Sequence, residues 1–138
     1  MHIEADGVVD RDELVALYED AGWTSYTAEP EDLARAVANS TFVVTARDDG
    51  LLVGLARGLS DQVSVFYLQD ILVRRSHQRR GIGRELLAAC LTRFEGVRQK
   101  VLLTDDDPAQ HALYRSFGFR RTTDFEVTPL NAYVRFDG

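Results

Sequence analysis

Apolar side chains recur at helical spacing in the first third of the chain. Leu14, Leu17 and Tyr18 share one face of a helix that opens at Asp10 and that Gly22 can end. A second helix is predicted to start at Pro30, since proline suits a first helical position. The residues between them, 23–27, are expected to form a loop, and a first strand is expected near residue 3.

A different pattern follows, in which β-branched and aromatic residues predict extended chain. Three strands are expected at 41–47, 51–59 and 63–73, and Asp48-Asp49-Gly50 predicts a hairpin turn between the first two. Helical periodicity returns from about Gly81 and is followed by a short buried strand at 100–104. Asp107-Pro108 caps a last helix that runs to about Phe117. Two final strands are predicted at 120–124 and 132–136.

This order of elements predicts a mixed α+β (α/β) fold. Central β-α-β-α units beside antiparallel hairpins indicate one mixed sheet of about six to seven strands, covered by about four helices. With 138 residues and 45% hydrophobic content, the chain can bury one core, so residues 1–138 are expected to form a single domain.

Composition narrows the setting in which the protein works. The chain has one cysteine, Cys90, in an apolar helical pattern, which indicates a reduced compartment. No apolar run approaches the ~18 residues of a membrane span, and the N-terminus lacks a signal-peptide pattern, so a cytoplasmic protein without membrane contacts is expected. A net charge of −6 argues against general nucleic-acid binding.

Within this acidic chain, five arginines cluster at the predicted junction of strand and helix: Arg74, Arg75, Arg79, Arg80 and Arg84. The cluster is either a solvated basic face or an anion site. The favourable charge at a helix N-terminus, together with Gly81 and Gly83, would suit a pyrophosphate. Neither a Walker A run nor the third small residue of a Rossmann motif is present.

The run Gln78-x-x-Gly81-x-Gly83, placed after a strand that ends Asp70-Ile71-Leu72-Val73, resembles the acetyl-CoA signature of the GNAT N-acetyltransferase superfamily. A later run, from Ala112 through Tyr114 to Gly118-Phe119, is similar to the closing helix of that family. The order of elements agrees as well. The resemblance therefore covers most of the chain and implies the GNAT fold, with a mostly antiparallel sheet in which two parallel strands splay apart at the CoA site.

The resemblance also implies which residues bind acetyl-CoA, the expected cosubstrate. Backbone groups of the strand would pair with the pantetheine arm, and one N–H, of Ile71 or Leu72, would polarise the thioester carbonyl. The loop and first helical turn would hold the pyrophosphate, and Asp107 lies where many members carry an asparagine that contacts pantetheine. The expected set is Ile71, Leu72, Val73, Gln78, Arg79, Arg80, Gly81, Ile82, Gly83, Arg84 and Asp107.

Two residues are candidates for proton transfer. Tyr114 matches the phenol that protonates the leaving thiolate in this family; the alternative is that it only packs its helix. Asp70 is the candidate general base, and alternation predicts that it shares a face with Phe66 and Leu68. In some members the base is a glutamate upstream, where Tyr67 stands here, and in others it is ordered water. Asp70 could equally be structural.

No metal site is expected. Asp105, Asp106 and Asp107 lack EF-hand spacing, and the family needs no metal. His77 and His111 fall in predicted surface segments, without the neighbours of a nucleophilic triad, and are expected to be exposed. Cys90 is expected in the core, which argues against an acetyl-cysteine mechanism.

The acceptor is expected to be an amine. Aromatic side chains and Asp70 could line a pocket for an arylalkylamine or polyamine, although each aromatic residue could also be core: Trp23, Tyr26, Phe42, Phe66 and Tyr67. The middle of the chain is also similar to plant and cyanobacterial serotonin-type acetyltransferases. A lysine or N-terminal amine of a protein, or a non-catalytic acetyl-CoA-binding module, remains an alternative. The family often forms homodimers through its C-terminal strand.

Overall fold

The computed structural model describes every residue from Met1 to Gly138. Its elements, in chain order, are β1 His2–Ala5, α1 Arg11–Asp20, α2 Thr24–Thr27, α3 Pro30–Ala38, β2 Phe42–Asp48, β3 Leu51–Ser60, β4 Val65–Val73, α4 Ile82–Arg93, β5 Gln99–Leu102 and α5 Pro108–Ser116. Two 3₁₀ turns lie at Arg75–His77 and Thr122–Asp124. The chain divides into two compact units, Met1–Leu103 and Thr104–Gly138, which are described in turn.

The first unit contains one five-stranded sheet in the order β1-β2-β3-β4-β5. All neighbouring pairs are antiparallel except β4 and β5, which run parallel. The mixed sheet is therefore confirmed, but the predicted six to seven strands are wrong, since the sheet has five. Residues 120–124 contain a 3₁₀ turn and residues 132–136 are irregular. Alternating apolar residues alone do not make a strand, because a strand needs a neighbour to complete its hydrogen bonds.

Helices cover both faces of this sheet. On one face, α1 and α3 pack against the strands, and the buried cluster there includes Leu14, Leu33, Val43, Leu55 and Leu72. On the other face lies α4. These two faces are called the α1 face and the α4 face below. A sheet that is buried on both sides needs apolar residues in succession, which explains why β3 is buried without interruption from residue 52 to residue 58.

On the α4 face, three phenylalanines form the aromatic centre of the core. The ring of Phe66 stacks on Phe94 with the centroids 4.3 Å apart, and Phe42 meets Phe94 edge-on at 5.7 Å. All three side chains are buried. These contacts fix the C-terminal end of α4 against β2 and β4.

Helix α1 ends where the sequence predicts, but the segment after it differs from the expected loop. Gly22 has φ +80° and ends the helix as predicted, with the N–H of Trp23 donating to the carbonyl of Tyr18 and that of Gly22 to Glu19. This is a Schellman motif, and the rings of Tyr18 and Trp23 make the apolar contact that accompanies it, at 5.6 Å. The predicted loop at 23–27 then forms a helical turn, α2, instead of irregular chain.

The second unit contains α5, capped as the sequence predicts. The Asp107 carboxylate accepts a hydrogen bond from the N–H of Ala109 at 3.1 Å. At the other end, Gly118 has φ +89°, and the N–H of Phe119 donates to the carbonyl of Tyr114. The rings of Tyr114 and Phe119 meet edge-on at 6.0 Å. The run from Tyr114 to Phe119 is therefore a second Schellman motif, built like the one that ends α1.

One close approach in the sheet can be tested directly. A Cβ on Gly58 would collide with the Phe66 ring and lie 2.7 Å from the Tyr67 carbonyl oxygen. Gly58→Ala should lower the free energy of unfolding by about 1–3 kcal/mol, through overpacking beside the Phe66–Phe94 stack. Urea denaturation would measure this. Gly96→Ala, where a Cβ meets nothing within 4 Å, is the matched control. Equal stability of the two variants would contradict the assignment of Gly58 to a steric role.

Candidate active site

The site begins at an open edge of β4. Strand β5 pairs only with residues 65–68 of β4, so residues 69–73 have no strand partner on that side. The N–H of Arg74 donates to the carbonyl of Val53. In an antiparallel pair the backbone groups of successive residues point alternately toward and away from the partner strand, so this bond fixes the direction of each residue along β4. Leu72 therefore bonds β3, whereas Ile71 and Val73 direct their N–H and C=O groups to the open edge. Of the three strand residues expected to bind pantetheine, two present backbone groups there.

A β-bulge interrupts β4 just before this edge. In the pairing with β3, Arg57 lies opposite Asp70 and Gly58 opposite Leu68, so Gln69 is an extra residue. The bulge reverses the alternation of side chains. Phe66 lies on the α4 face, whereas Asp70 and Leu72 lie on the α1 face. The expectation that Asp70 shares a face with Phe66 and Leu68 is therefore wrong, because one inserted residue moves every later side chain to the other face.

Asp70 is the centre of a buried polar network on the α1 face. Its carboxylate accepts hydrogen bonds from Arg57 Nε at 2.6 Å, the Tyr18 hydroxyl at 2.9 Å and the Tyr26 hydroxyl at 3.1 Å. Asp70 is 3% exposed and Arg57 5%. Gln69 Nε2 in turn donates to the Tyr26 oxygen at 3.1 Å. The bulge thus places two consecutive side chains, Gln69 and Asp70, on the same face.

These contacts change what Asp70 can do. Its charge is balanced by Arg57, and both of its oxygens accept hydrogen bonds from neighbours, so little capacity is left for a substrate proton. Burial, followed by the charge of Asp70, raises the pKa of both Tyr18 and Tyr26. Burial raises the pKa of Tyr67 as well, helped by Tyr26 and Asp70. All three phenols are neutral at physiological pH. The contacts favour the structural alternative for Asp70.

The loop from β4 to α4 forms a cradle of backbone N–H groups. Arg79 has φ +63° and Gly81 φ +80°, and Gly81 begins α4 with no side-chain hydrogen bond capping the helix. The first turn of α4 therefore offers the unpaired donors and positive dipole end that bind anions. A Cβ on Gly83 would meet only the Val73 side chain, at 3.9 Å. Packing therefore does not require a glycine at this position.

Side chains on both sides tie this loop down. His77 Nε2 lies 2.8 Å from Asp48 Oδ2, and its side chain is only 12% exposed. Arg74 donates to the Leu52 carbonyl, and Gln78 Nε2 to that of Val73 at 3.1 Å. The sequence predicts an exposed His77; its hydrogen-bond partner on the β2–β3 hairpin, Asp48, explains the difference. His111 also has a carboxylate neighbour, Asp106, at 3.0 Å.

The remaining residues of the predicted anion site line the outside of this loop and the start of α4. Arg79, Arg80 and Arg84 are exposed, as suits side chains that meet a charged ligand, and Ile82 is buried. Asp107 belongs to the second unit and caps its own helix. The structure therefore gathers ten of the eleven predicted cofactor residues on one continuous segment, 71–84, with roles that differ between backbone and side chain.

The predicted acceptor residues fall into two groups. Trp23, Tyr26 and Tyr67 are half-buried, and Trp23 and Tyr26 pack against each other with the centroids 6.0 Å apart. Phe42 and Phe66 belong to the core of the α4 face. The structure thus brings only the first three toward Asp70 and leaves the two phenylalanines on the far side of the sheet.

Tyr114 is the one candidate for proton transfer in the second unit. It is buried, and burial raises the pKa of its hydroxyl to about 12. The phenol is therefore protonated throughout the physiological range and can donate a hydrogen bond. Its ring is held by the Schellman contact with Phe119, so the family-like run also has a purely structural explanation.

The one cysteine is unsuited to covalent catalysis. Cys90 is fully buried, and burial raises the pKa of its thiol to about 12, which makes it a poor nucleophile. No group of three or more histidine, cysteine or carboxylate side chains is arranged to hold a metal ion. Among the helices, none has both the length and the apolar character that crossing a bilayer requires.

Sequence reasoning missed Arg57 and Tyr18, although a signal for Arg57 was present. It is the single charge within the buried run of β3, and a charge in such a run requires a partner of opposite sign. The next strand offers one carboxylate, Asp70. Tyr18 carried no comparable signal, because a tyrosine on the apolar face of a helix resembles ordinary core.

Comparison with known proteins places these features in context. Residues 10–119 match the acetyltransferase (GNAT) family. A GNAT family acetyltransferase from Streptococcus pneumoniae is 30% identical, with a TM-score of 0.81 and 98% of each chain covered. A ribosomal-protein-alanine N-acetyltransferase from Brucella melitensis shares the fold at 19% identity and TM-score 0.70, covering 99% of this chain and all of that one.

An aminoglycoside N-acetyltransferase, whose structure holds CoA, also shares the fold, at 19% identity and TM-score 0.66, with 95% of this chain and 100% of that chain covered. A comparison with curated protein sequences gives no match. Since the two named enzymes act on different acceptors, the shared fold does not identify the acceptor of this chain.

The cradle leads to a test of ligand approach. Gly83→Ala should leave the fold intact, because alanine is up to about 1 kcal/mol better than glycine in a helix. The added methyl group should nevertheless raise the Kd for CoA at least about tenfold, equivalent to ~1.4 kcal/mol. Calorimetric titration would measure this. As a control, a short acetyl thioester without phosphates should bind both proteins equally; unchanged CoA affinity would remove Gly83 from the site.

Proposed function

This chain belongs to the GNAT acetyltransferase family, and from that premise we propose that it transfers the acetyl group of acetyl-CoA to a small primary amine. The observation that carries the proposal is the junction of β4 and α4. There, an open strand edge is joined by a short loop to a helix N-terminus without a side-chain cap, and a Cβ at Gly83 would meet only the Val73 side chain. An extended amide-containing arm that ends in a pyrophosphate fits this junction.

The fit can be stated group by group. The C=O and N–H groups of Ile71 and the N–H of Val73 would hold the amide-rich arm, as an added strand would, while the Val73 carbonyl accepts from Gln78 Nε2. Backbone N–H groups from Gly81 into the first turn of α4 would hold the pyrophosphate, with Arg79 and Arg80 adding charge. Acetyl-CoA supplies an activated acetyl thioester when bound. The Ile71 N–H is proposed to donate to its carbonyl oxygen, where negative charge develops during transfer.

Tyr114 remains the proposed general acid. With a pKa of about 12, its hydroxyl is a much weaker acid than a thiol, whose ordinary pKa is near 8.5. Full proton transfer to the departing thiolate would therefore be uphill. We propose that Tyr114 stabilises the thiolate chiefly by donating a hydrogen bond to it. Because Arg57, Tyr18 and Tyr26 occupy Asp70, we propose that water takes the proton of the amine.

For the acceptor, we propose an arylalkylamine in preference to a polyamine. Trp23, Tyr26 and Tyr67 offer half-buried aromatic surface beside the network, which suits an aromatic ring. The charge of Asp70, which could have attracted a polycation, is balanced by Arg57 at 2.6 Å. The resemblance to serotonin-type acetyltransferases agrees with this choice.

Removing the Tyr114 hydroxyl tests the general acid. Tyr114→Phe should keep the ring contact with Phe119 and the fold, yet lower kcat by about 10²–10³-fold, because the hydrogen bond to the departing thiolate is lost. Since the pKa of Tyr114 is about 12, the wild-type rate should show no alkaline loss from this group below about pH 10. Phe119→Leu, which weakens the ring contact and keeps the hydroxyl, is the control. Unchanged turnover in Tyr114→Phe would assign the residue to packing alone.

Release of CoA thiol with a panel of amines tests the function itself. Phenethylamine and tryptamine should be acetylated with higher kcat/KM than hexylamine, spermidine, an aminoglycoside or a lysine peptide. Trp23→Leu should reduce this preference by up to about tenfold, the worth of one aromatic pair. The rate with hexylamine, which lacks a ring, should change little and serves as the internal control. Transfer to the peptide alone would replace the small-amine proposal, and CoA binding without transfer to any amine would indicate a binding module.

A further inference from the structure

A gain in the free energy of folding does not explain why Arg57 and Asp70 are buried as a pair. Bringing two charges into a protein interior costs several kcal/mol of hydration per ion, and apolar replacements of such pairs are often equally stable. Here the pair is joined by two tyrosine hydroxyls, from α1 and α2, so groups from three elements besides β4 converge on one carboxylate. That carboxylate lies directly after the extra residue of the bulge.

The location of Asp70 makes it a determinant of register. If β4 paired with β3 without the bulge, every side chain after Gln69 would move to the other face. Asp70 would then enter the α4 face, whose side chains Phe66, Leu86 and Phe94 are buried and apolar. A charge without a partner there is strongly unfavourable. The Arg57–Asp70 pair therefore stabilises the bulged register and penalises the regular one.

The register also decides which amide faces the open edge. With the bulge, Leu72 bonds β3 and Ile71 points outward. Without it, this alternation is displaced by one residue, so Leu72 would point outward and Ile71 would bond β3. A single residue of register thus exchanges the backbone donor available at the edge, although no residue at the edge itself is changed.

We infer that Arg57, Asp70 and Tyr18 are positioning residues, which act by holding the bulge so that the Ile71 amide faces the thioester carbonyl. The inference rests on the proposed function, because it concerns the donor used in acetyl transfer. It assigns Asp70 no proton transfer. It also assigns a role in catalysis to Arg57 and Tyr18, whose side chains lie on the α1 face, while the Ile71 side chain points to the other face of the sheet.

The test uses the full chain and a readout that needs no acceptor. Acetyl-CoA labelled with ¹³C at the thioester carbonyl is bound to the protein, and the stretching band of this carbonyl is measured by infrared difference spectroscopy. A hydrogen bond from Ile71 lowers this frequency in the wild type. The triple variant Tyr18→Phe/Arg57→Met/Asp70→Leu replaces the three polar side chains together, so that none of them is left without its partner. In this variant the carbonyl band should shift back toward the frequency that the thioester has in a solvent without hydrogen-bond donors. The Kd for acetyl-CoA should rise far less than kcat falls, since the cradle proposed to hold the pyrophosphate is untouched.

Kinetics add an independent readout. Loss of one oxyanion donor costs about 10²–10³ in kcat, and the triple variant should show a loss of that size with little change in KM for acetyl-CoA. Asp70→Asn should keep the acidic limb of the pH–rate profile at its wild-type position. Disappearance of that limb would make Asp70 the base and overturn the inference. A wild-type band in the folded triple variant would overturn it as well.

Two further variants complete the design. Glu13→Gln/Arg47→Met removes an ion pair, 2.7 Å in length, beside the other irregularity of the sheet, where β3 carries an extra residue opposite Ala46 and Arg47. This control should leave the carbonyl band unmoved. If the triple variant does not fold, Tyr18→Phe alone should move the band part of the way, and an unmoved band there would count against the inference. Absence of transfer to any amine would refute the proposed function while the band still reports on Ile71.

Discussion

The contact between Arg57 and Asp70 organises the half of the sheet on which the site is built. It joins β3 to β4 across the bulge, and the tyrosine hydroxyls of α1 and α2 join the N-terminal helices to the same carboxylate. Electrostatic attraction at 2.6 Å offsets part of the cost of burying both charges, and the two tyrosine hydroxyls satisfy further acceptor sites of the carboxylate. The open edge of β4 depends on this arrangement, since its backbone groups are directed by the bulge that the contact holds.

The two halves of the candidate site use different physical means. At the open edge, strand geometry supplies backbone donors whose direction is set by alternation. At α4, the helix N-terminus supplies donors whose direction is set by the helix axis, and Gly81 and Gly83 keep side chains out of their way. Packing on both faces makes each part rigid: the Phe66–Phe94 stack holds α4, and the α1–α3 cluster holds β4.

How much of this could be read from the sequence depended on the range of the interaction involved. Local signals were sufficient for the helix boundaries at Gly22, Pro30 and Gly81, and for the glycine-rich cradle. Interactions between distant segments were not visible: the face of Asp70 depended on one extra residue in a pairing that the sequence does not display. Segment 132–136 has a strand-like pattern, yet it is irregular, with Phe136 84% exposed. Alternation describes what a segment can form, and a neighbouring strand decides whether it does.

The bulge has a consequence for how this chain can vary in length. A substitution at Gln69 removes one hydrogen bond to Tyr26, but deletion of the same residue would transfer the charge of Asp70 to the opposite core and exchange the donor at the edge. Insertions and deletions in β4 are therefore far more restricted than changes of residue type. Over evolutionary time, the length of this strand should be preserved even where its side chains drift, and changes in chain length should accumulate in the connections beyond the sheet.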